Sequence, residues 1–105
     1  MVTLLVAFAL AAPNPKTIDG PRHAYAACIK TFESNQLQAK VDAAAYETAV
    51  KSACPSEAAA FTAALVSYDV AMGTKRAAAT ANAARDLEDY QLTSVDRYKD
   101  MSANP

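Results

Sequence analysis

The stretch SACPSEAAAF, residues 52–61, places one of only two cysteines in the chain beside a proline at the head of an alanine-rich run. Cys54 falls at a capping position, Pro55 in the first turn, where a missing N–H costs nothing, and Glu57 at the third position, where a carboxylate meets the positive end of the helix dipole. A helix therefore starts at Pro55. Beyond it the apolar positions Phe61, Leu65, Tyr68, Met72, Ala79, Ala83, Leu87, Tyr90, Tyr98 and Met101 stay on one side at 100° per residue. The pattern favours one long helix to about residue 101, with Gly73-Thr74 as the point where it kinks or breaks.

Upstream, Asp19-Gly20-Pro21 reads as another helix start, followed by Tyr25, Cys28, Ile29 and Phe32 at spacings of three and four. The polar run SNQLQAKVD, residues 34–42, then interrupts the pattern. Asp42 is a good N-cap for a short second helix carrying Tyr46, Ala49, Val50 and Ala53, with Glu47 and Lys51 paired at i,i+4. No strand pattern occurs. The expected fold is all-α: a short helical hairpin packed on a long C-terminal helix and stapled by one disulfide.

The staple is the pair Cys28 and Cys54. In an antiparallel hairpin the residues facing each other sum to a constant, and pairing these two puts the turn near residue 41, beside the proposed cap. A disulfide needs an oxidising compartment, and the first residues point to one. MVTLLVAFALAA, residues 1–12, is almost wholly apolar, yet shorter than the roughly 20 residues a membrane-spanning helix requires. It fits the apolar core of a secretory leader, with the small-x-small site Ala9-Leu10-Ala11 for cleavage, although no basic residue precedes it. The expected organisation is a signal peptide over 1–11, an extended tether over 12–20 containing Pro13 and Pro15, one helical domain over 21–102 and a disordered tail over 103–105. The mature product is expected in the periplasm or outside the cell, with no membrane attachment once the leader is removed.

Composition narrows the function. Apolar residues make up 52% of the 105-residue chain, but alanine alone is about a quarter of it, and tryptophan is absent. Five tyrosines, with Phe32 and Phe61, must supply the bulk of the core once the leader, which holds Phe8, is removed. Net charge is −1 at neutral pH and the basic residues are scattered, so no patch suits a phosphate backbone and nucleic acid is not an expected partner.

No residue set nominates an enzyme. His23 is the single imidazole and has no Ser or Asp partner at a recognisable spacing. Asp86, Glu88 and Asp89 lack the glycine turn and alternating ligands of a calcium loop, and read as a solvated helix face. Two distant thiols and His23 are too few for zinc, and Cys-x-x-Cys is absent. No cofactor is expected.

What remains is surface. Helices one and two cover only the first half of a long third helix, leaving Leu87, Tyr90, Leu92, Val95, Tyr98 and Met101 without an intrachain partner unless the chain bends back at Gly73. An exposed apolar stripe of this kind marks an interface, with a second copy of the chain or another protein. The expected role is a non-catalytic structural or interaction module. The alternative is a small-ligand or metal carrier with a groove beside Tyr25, Tyr46 and Tyr68.

Overall fold

The computed structural model describes residues 13–104. It is all-α among these residues: α1 spans Lys16–Gln38, α2 Ala43–Val50, α3 Pro55–Ala71 and α4 Arg76–Ala103. The expected leader over 1–11 lies outside the described residues. None of the described helices is long and apolar enough to cross a membrane.

Helix α1 begins earlier than its sequence suggests. The tether expected over 12–20 is helical from Lys16, because Asn14 acts as a cap: its Oδ1 accepts the Lys16 N–H at 3.0 Å and its carbonyl accepts the Thr17 hydroxyl at 2.8 Å. Pro15 then takes the first-turn place that had been assigned to Pro21. Pro21 sits inside the helix, one turn past Ile18, whose side chain is buried in the core. Burying Ile18 is the return for the ladder bond that Pro21 cannot make.

Helices α1 and α3 are each closed by the same backbone device. At the end of α3 the Gly73 N–H bonds to Val70 O at 3.0 Å and the Thr74 N–H to Asp69 O at 2.9 Å, with Gly73 at φ +100°. This is a Schellman motif, and it ends the helix outright. The long helix favoured by the apolar pattern is therefore two helices, α3 and α4, and the chain reverses at Gly73 so that α4 packs back on α3. Met72, on the extrapolated stripe, is left exposed at the turn. A Cβ at Gly73 would meet nothing within 4 Å, so Gly73→Ala costs the left-handed strain less the freedom lost by the unfolded chain, about 0.5 to 1 kcal/mol. Thermal melts are expected to show a midpoint lower by at least about 2 °C.

At the end of α1 the same pair of bonds joins Lys40 to Leu37 and Val41 to Gln36, but the left-handed residue is Lys40, at φ +57°. A lysine there is strained where glycine would not be. Lys40→Gly is expected to raise the unfolding free energy by about 0.5 to 1 kcal/mol, the strain relieved less the added freedom of the unfolded chain. Urea titration measures it as a higher midpoint at unchanged slope.

Asp42 caps α2 as its sequence implies, its Oδ1 accepting the Ala45 N–H at 2.8 Å. The disulfide joins Cys28 in α1 to Cys54, the residue before α3, with Cα atoms 6.1 Å apart. Helix α1 packs against α3 and α4, whereas α2 lies mainly on α4 and barely touches α1. The core holds two aromatic groups. Tyr25, Phe61 and Tyr90 meet with centroids 5.6 to 6.0 Å apart, two of the three contacts edge-on. Tyr46 stacks on Tyr98 at 3.9 Å and on Phe32 at 5.7 Å. The small buried Ala79 and Ala83 face the core from the N-terminal half of α4, before Tyr90 and Tyr98.

Candidate functional site

Among the described residues Glu33 is the one buried carboxylate. It continues the Tyr25, Ile29 register of α1 at i+8, and so it points inward where an apolar residue is expected. Across from it, α4 presents Ser94 and Arg97. The Arg97 Nε–H donates to Glu33 Oε1 and Nη2–H to Oε2, each at 2.7 Å, a bidentate pair. Ser94 Oγ donates to Oε2 at 2.8 Å. A serine has one hydroxyl proton, so with that proton on Glu33 the 2.5 Å contact between Ser94 Oγ and Tyr46 must be donated by the tyrosine. The relay runs from Tyr46 to Ser94 to Glu33.

Burial alone pushes the Glu33 carboxyl up. The hydrogen bonds from Arg97 and Ser94, together with the Arg97 charge, outweigh it and hold the group below the ordinary glutamate range. Arg97 is correspondingly raised, chiefly by its bond to Glu33. Burial raises the phenols of Tyr46 and Tyr98. The Tyr98 hydroxyl donates to the Val41 carbonyl in the α1–α2 turn, and Gln91 Nε2 donates to the Tyr25 hydroxyl at 3.2 Å. Among the described residues no buried side-chain nitrogen or oxygen lacks a partner. Both Glu33 oxygens therefore accept from protein donors, and the constellation ties α1, α2 and α4 together.

The six residues read as an interface separate into three groups. Val95 and Tyr98 are buried in the chain's own core, and Leu87 and Tyr90 pack against it, because the reversal at Gly73 supplies the partners the long-helix reading lacked. Leu92 and Met101 remain exposed, at 47% and 36%. Nine residues apart, they lie roughly 180° from each other around α4, on opposite flanks of the buried ridge, and do not share one stripe.

Met101 borders an open groove of about 820 Å³ at the end of the bundle, together with Leu37, Val41 and Tyr98, with Lys40 and Asp42 also lining it. Leu92 borders a second, more polar hollow between α2 and α4, with Val50, Glu47 and Glu88. Tyr25 and Tyr46 are wholly buried in separate aromatic groups, and Tyr68 is half-buried, so these three rings fill the core instead of lining one groove.

His23 is exposed, as are Asp86, Glu88 and Asp89. Asp86 and Asp89 border a shallow hollow that also holds Arg22, whose guanidinium lies 5.8 Å from the Phe61 ring centre. The pairing expected between Glu47 and Lys51 does not form; the ion pairs among the described residues are Arg97 with Glu33 and Arg22 with Asp19. Only one set of three metal-competent side chains converges among the described residues, and it is Cys28, Cys54 and Glu57.

No protein-family model, curated protein or solved structure matches the chain.

Reading the sequence missed the Glu33–Arg97 pair. The i, i+4, i+8 register of Tyr25, Ile29 and Glu33 was the available signal, since a carboxylate on a core-facing position requires a buried cation or donor.

Proposed function

We propose that the chain is an exported, non-catalytic helical module that acts by protein–protein contact at the C-terminal end of α4. The carrying observation is the groove bordered by Leu37, Val41 and Met101 over the buried Tyr98, open to solvent where α1, α2 and α4 meet. The Tyr98 hydroxyl anchors that ring to the Val41 carbonyl. An apolar side chain of a partner would gain burial there without reorganising the groove, at about 25 cal/mol per Å² of apolar surface covered. The satisfied buried network supports a structural role over catalysis, and the disulfide supports export into an oxidising setting.

A photo-crosslinking side chain placed at Met101 in the source cell is expected to give a discrete protein adduct. The same group at exposed His23, far along α1, should give none. Met101→Glu should abolish association without changing the helical circular dichroism, because the site is solvent-exposed. Sedimentation of the purified chain then tells whether the occupant is a second copy. Equal crosslinking from both positions, or association unaffected by Met101→Glu, defeats the reading.

A further inference from the structure

Cys28 Sγ, Cys54 Sγ and a Glu57 carboxylate oxygen lie within 4.8 Å of one another, at the corner where α1 meets the start of α3. The two sulfurs are close because they are bonded, and what the corner adds is a carboxylate oxygen beside both; in a tetrahedral zinc site with bonds of about 2.0 to 2.3 Å, neighbouring ligand atoms are roughly 3.3 to 3.8 Å apart, a spacing the three can reach once the disulfide opens. The backbone already holds the cysteine Cα atoms 6.1 Å apart, so side-chain torsions suffice for the adjustment. We propose that the reduced protein binds one zinc-class divalent cation through Cys28, Cys54 and Glu57, with water completing the shell. The disulfide and the cation are then alternative staples of the same corner.

The chemistry balances with a dithiol as reductant. It gives up two electrons and two protons, closes to its own disulfide, and leaves Cys28 and Cys54 as thiols. The cation displaces both thiol protons as the two sulfur bonds form. Cys54 stands at the N-terminus of the 17-residue helix α3. No side chain caps that helix, so Glu57 is not held at its own N-terminus and its oxygen stands by the sulfurs. Two thiolates and a carboxylate around a divalent cation suit a borderline-soft ion over calcium or magnesium, which take oxygen shells. This proposal is independent of the partner-binding reading, and concerns the chain wherever it meets a reducing milieu.

The test is titration of the phosphine-reduced full chain with cobalt(II), followed by displacement with zinc. Expected are a one-to-one end point, thiolate-to-cobalt charge-transfer absorption, visible bands of four-coordinate geometry, and bleaching by zinc. Cys54→Ser should abolish the charge-transfer signal, and the oxidised chain should show none. Glu57→Gln should weaken binding at least about tenfold, the smallest loss typical of removing even an outer partner of a metal. Where the reduced, metal-free chain loses helicity, zinc should restore it in the wild type and fail to do so in the Cys28→Ser, Cys54→Ser double variant. Absence of saturable absorption, equal affinity in Glu57→Gln, or failure of zinc to recover helicity in the reduced wild type each overturns the proposal.

Discussion

Replacing Arg97 with alanine is expected to lower the unfolding free energy by about 3 kcal/mol, because it leaves the Glu33 carboxylate buried with Ser94 as its remaining donor. The figure is at the low end for a broken buried pair since Arg97 itself is 40% exposed and partly hydrated. Adding Glu33→Gln to that variant should recover part of the loss, as the buried charge is gone even though the fork is not restored. Chemical denaturation of the two single variants and the double variant measures the coupling; simple additivity would refute it.

Acid provides a second readout of the same pair. Glu33 is held below its unfolded value, so its contribution is present above the unfolded pKa of about 4.3 and fades as pH falls through the lower folded one. Wild-type stability should drop on acidification through that window. Arg97→Ala should lose that component of the drop, because the donor chiefly responsible for holding Glu33 down has been removed.

The Cys28→Ser, Cys54→Ser double variant is expected to lose about 3.5 kcal/mol by the loop-entropy relation for a 26-residue separation. For a domain of this size that is a large share of the typical total. The thermal midpoint should fall by more than about 10 °C, and phosphine reduction of the wild type in the presence of a metal chelator should reproduce the shift. Unchanged melting in both would show that the helices hold without the bridge.

The disulfide and the helix starts at Asp42 and Pro55 were legible because each depends on local chemistry: a cap, a first-turn proline, and two cysteines with no third. The reversal at Gly73 was legible as one of two readings, a break with the chain folding back against one continuous helix, and spacing favoured the continuous helix. Apolar spacing at 3.6 residues continues in phase across residues 71–76, while the Schellman bonds of Gly73 and Thr74 leave no trace in periodicity. Six apolar positions on α4 consequently looked uncovered, and four of them face the chain's own core. The early start of α1 was hidden for the converse reason: Pro15 and Pro21 both fit a first turn, and only the Asn14 bonds choose between them. Glu33 could not be paired with Arg97 from spacing, since that contact spans 64 residues and exists only after the reversal.

The sparse contact between α1 and α2, where Phe32 stacks on Tyr46, bears on the order of assembly. The hydrogen bonds of Tyr46 and Val41 are made to Ser94 and Tyr98, 48 and 57 positions downstream. While the chain emerges from the ribosome, its middle has only the Phe32 face of α1 to lean on until the last dozen residues arrive. Both cysteines clear the exit well before then, so bridging can precede burial, and a chain cut short before Ser94 would be crosslinked yet unable to seal its interior.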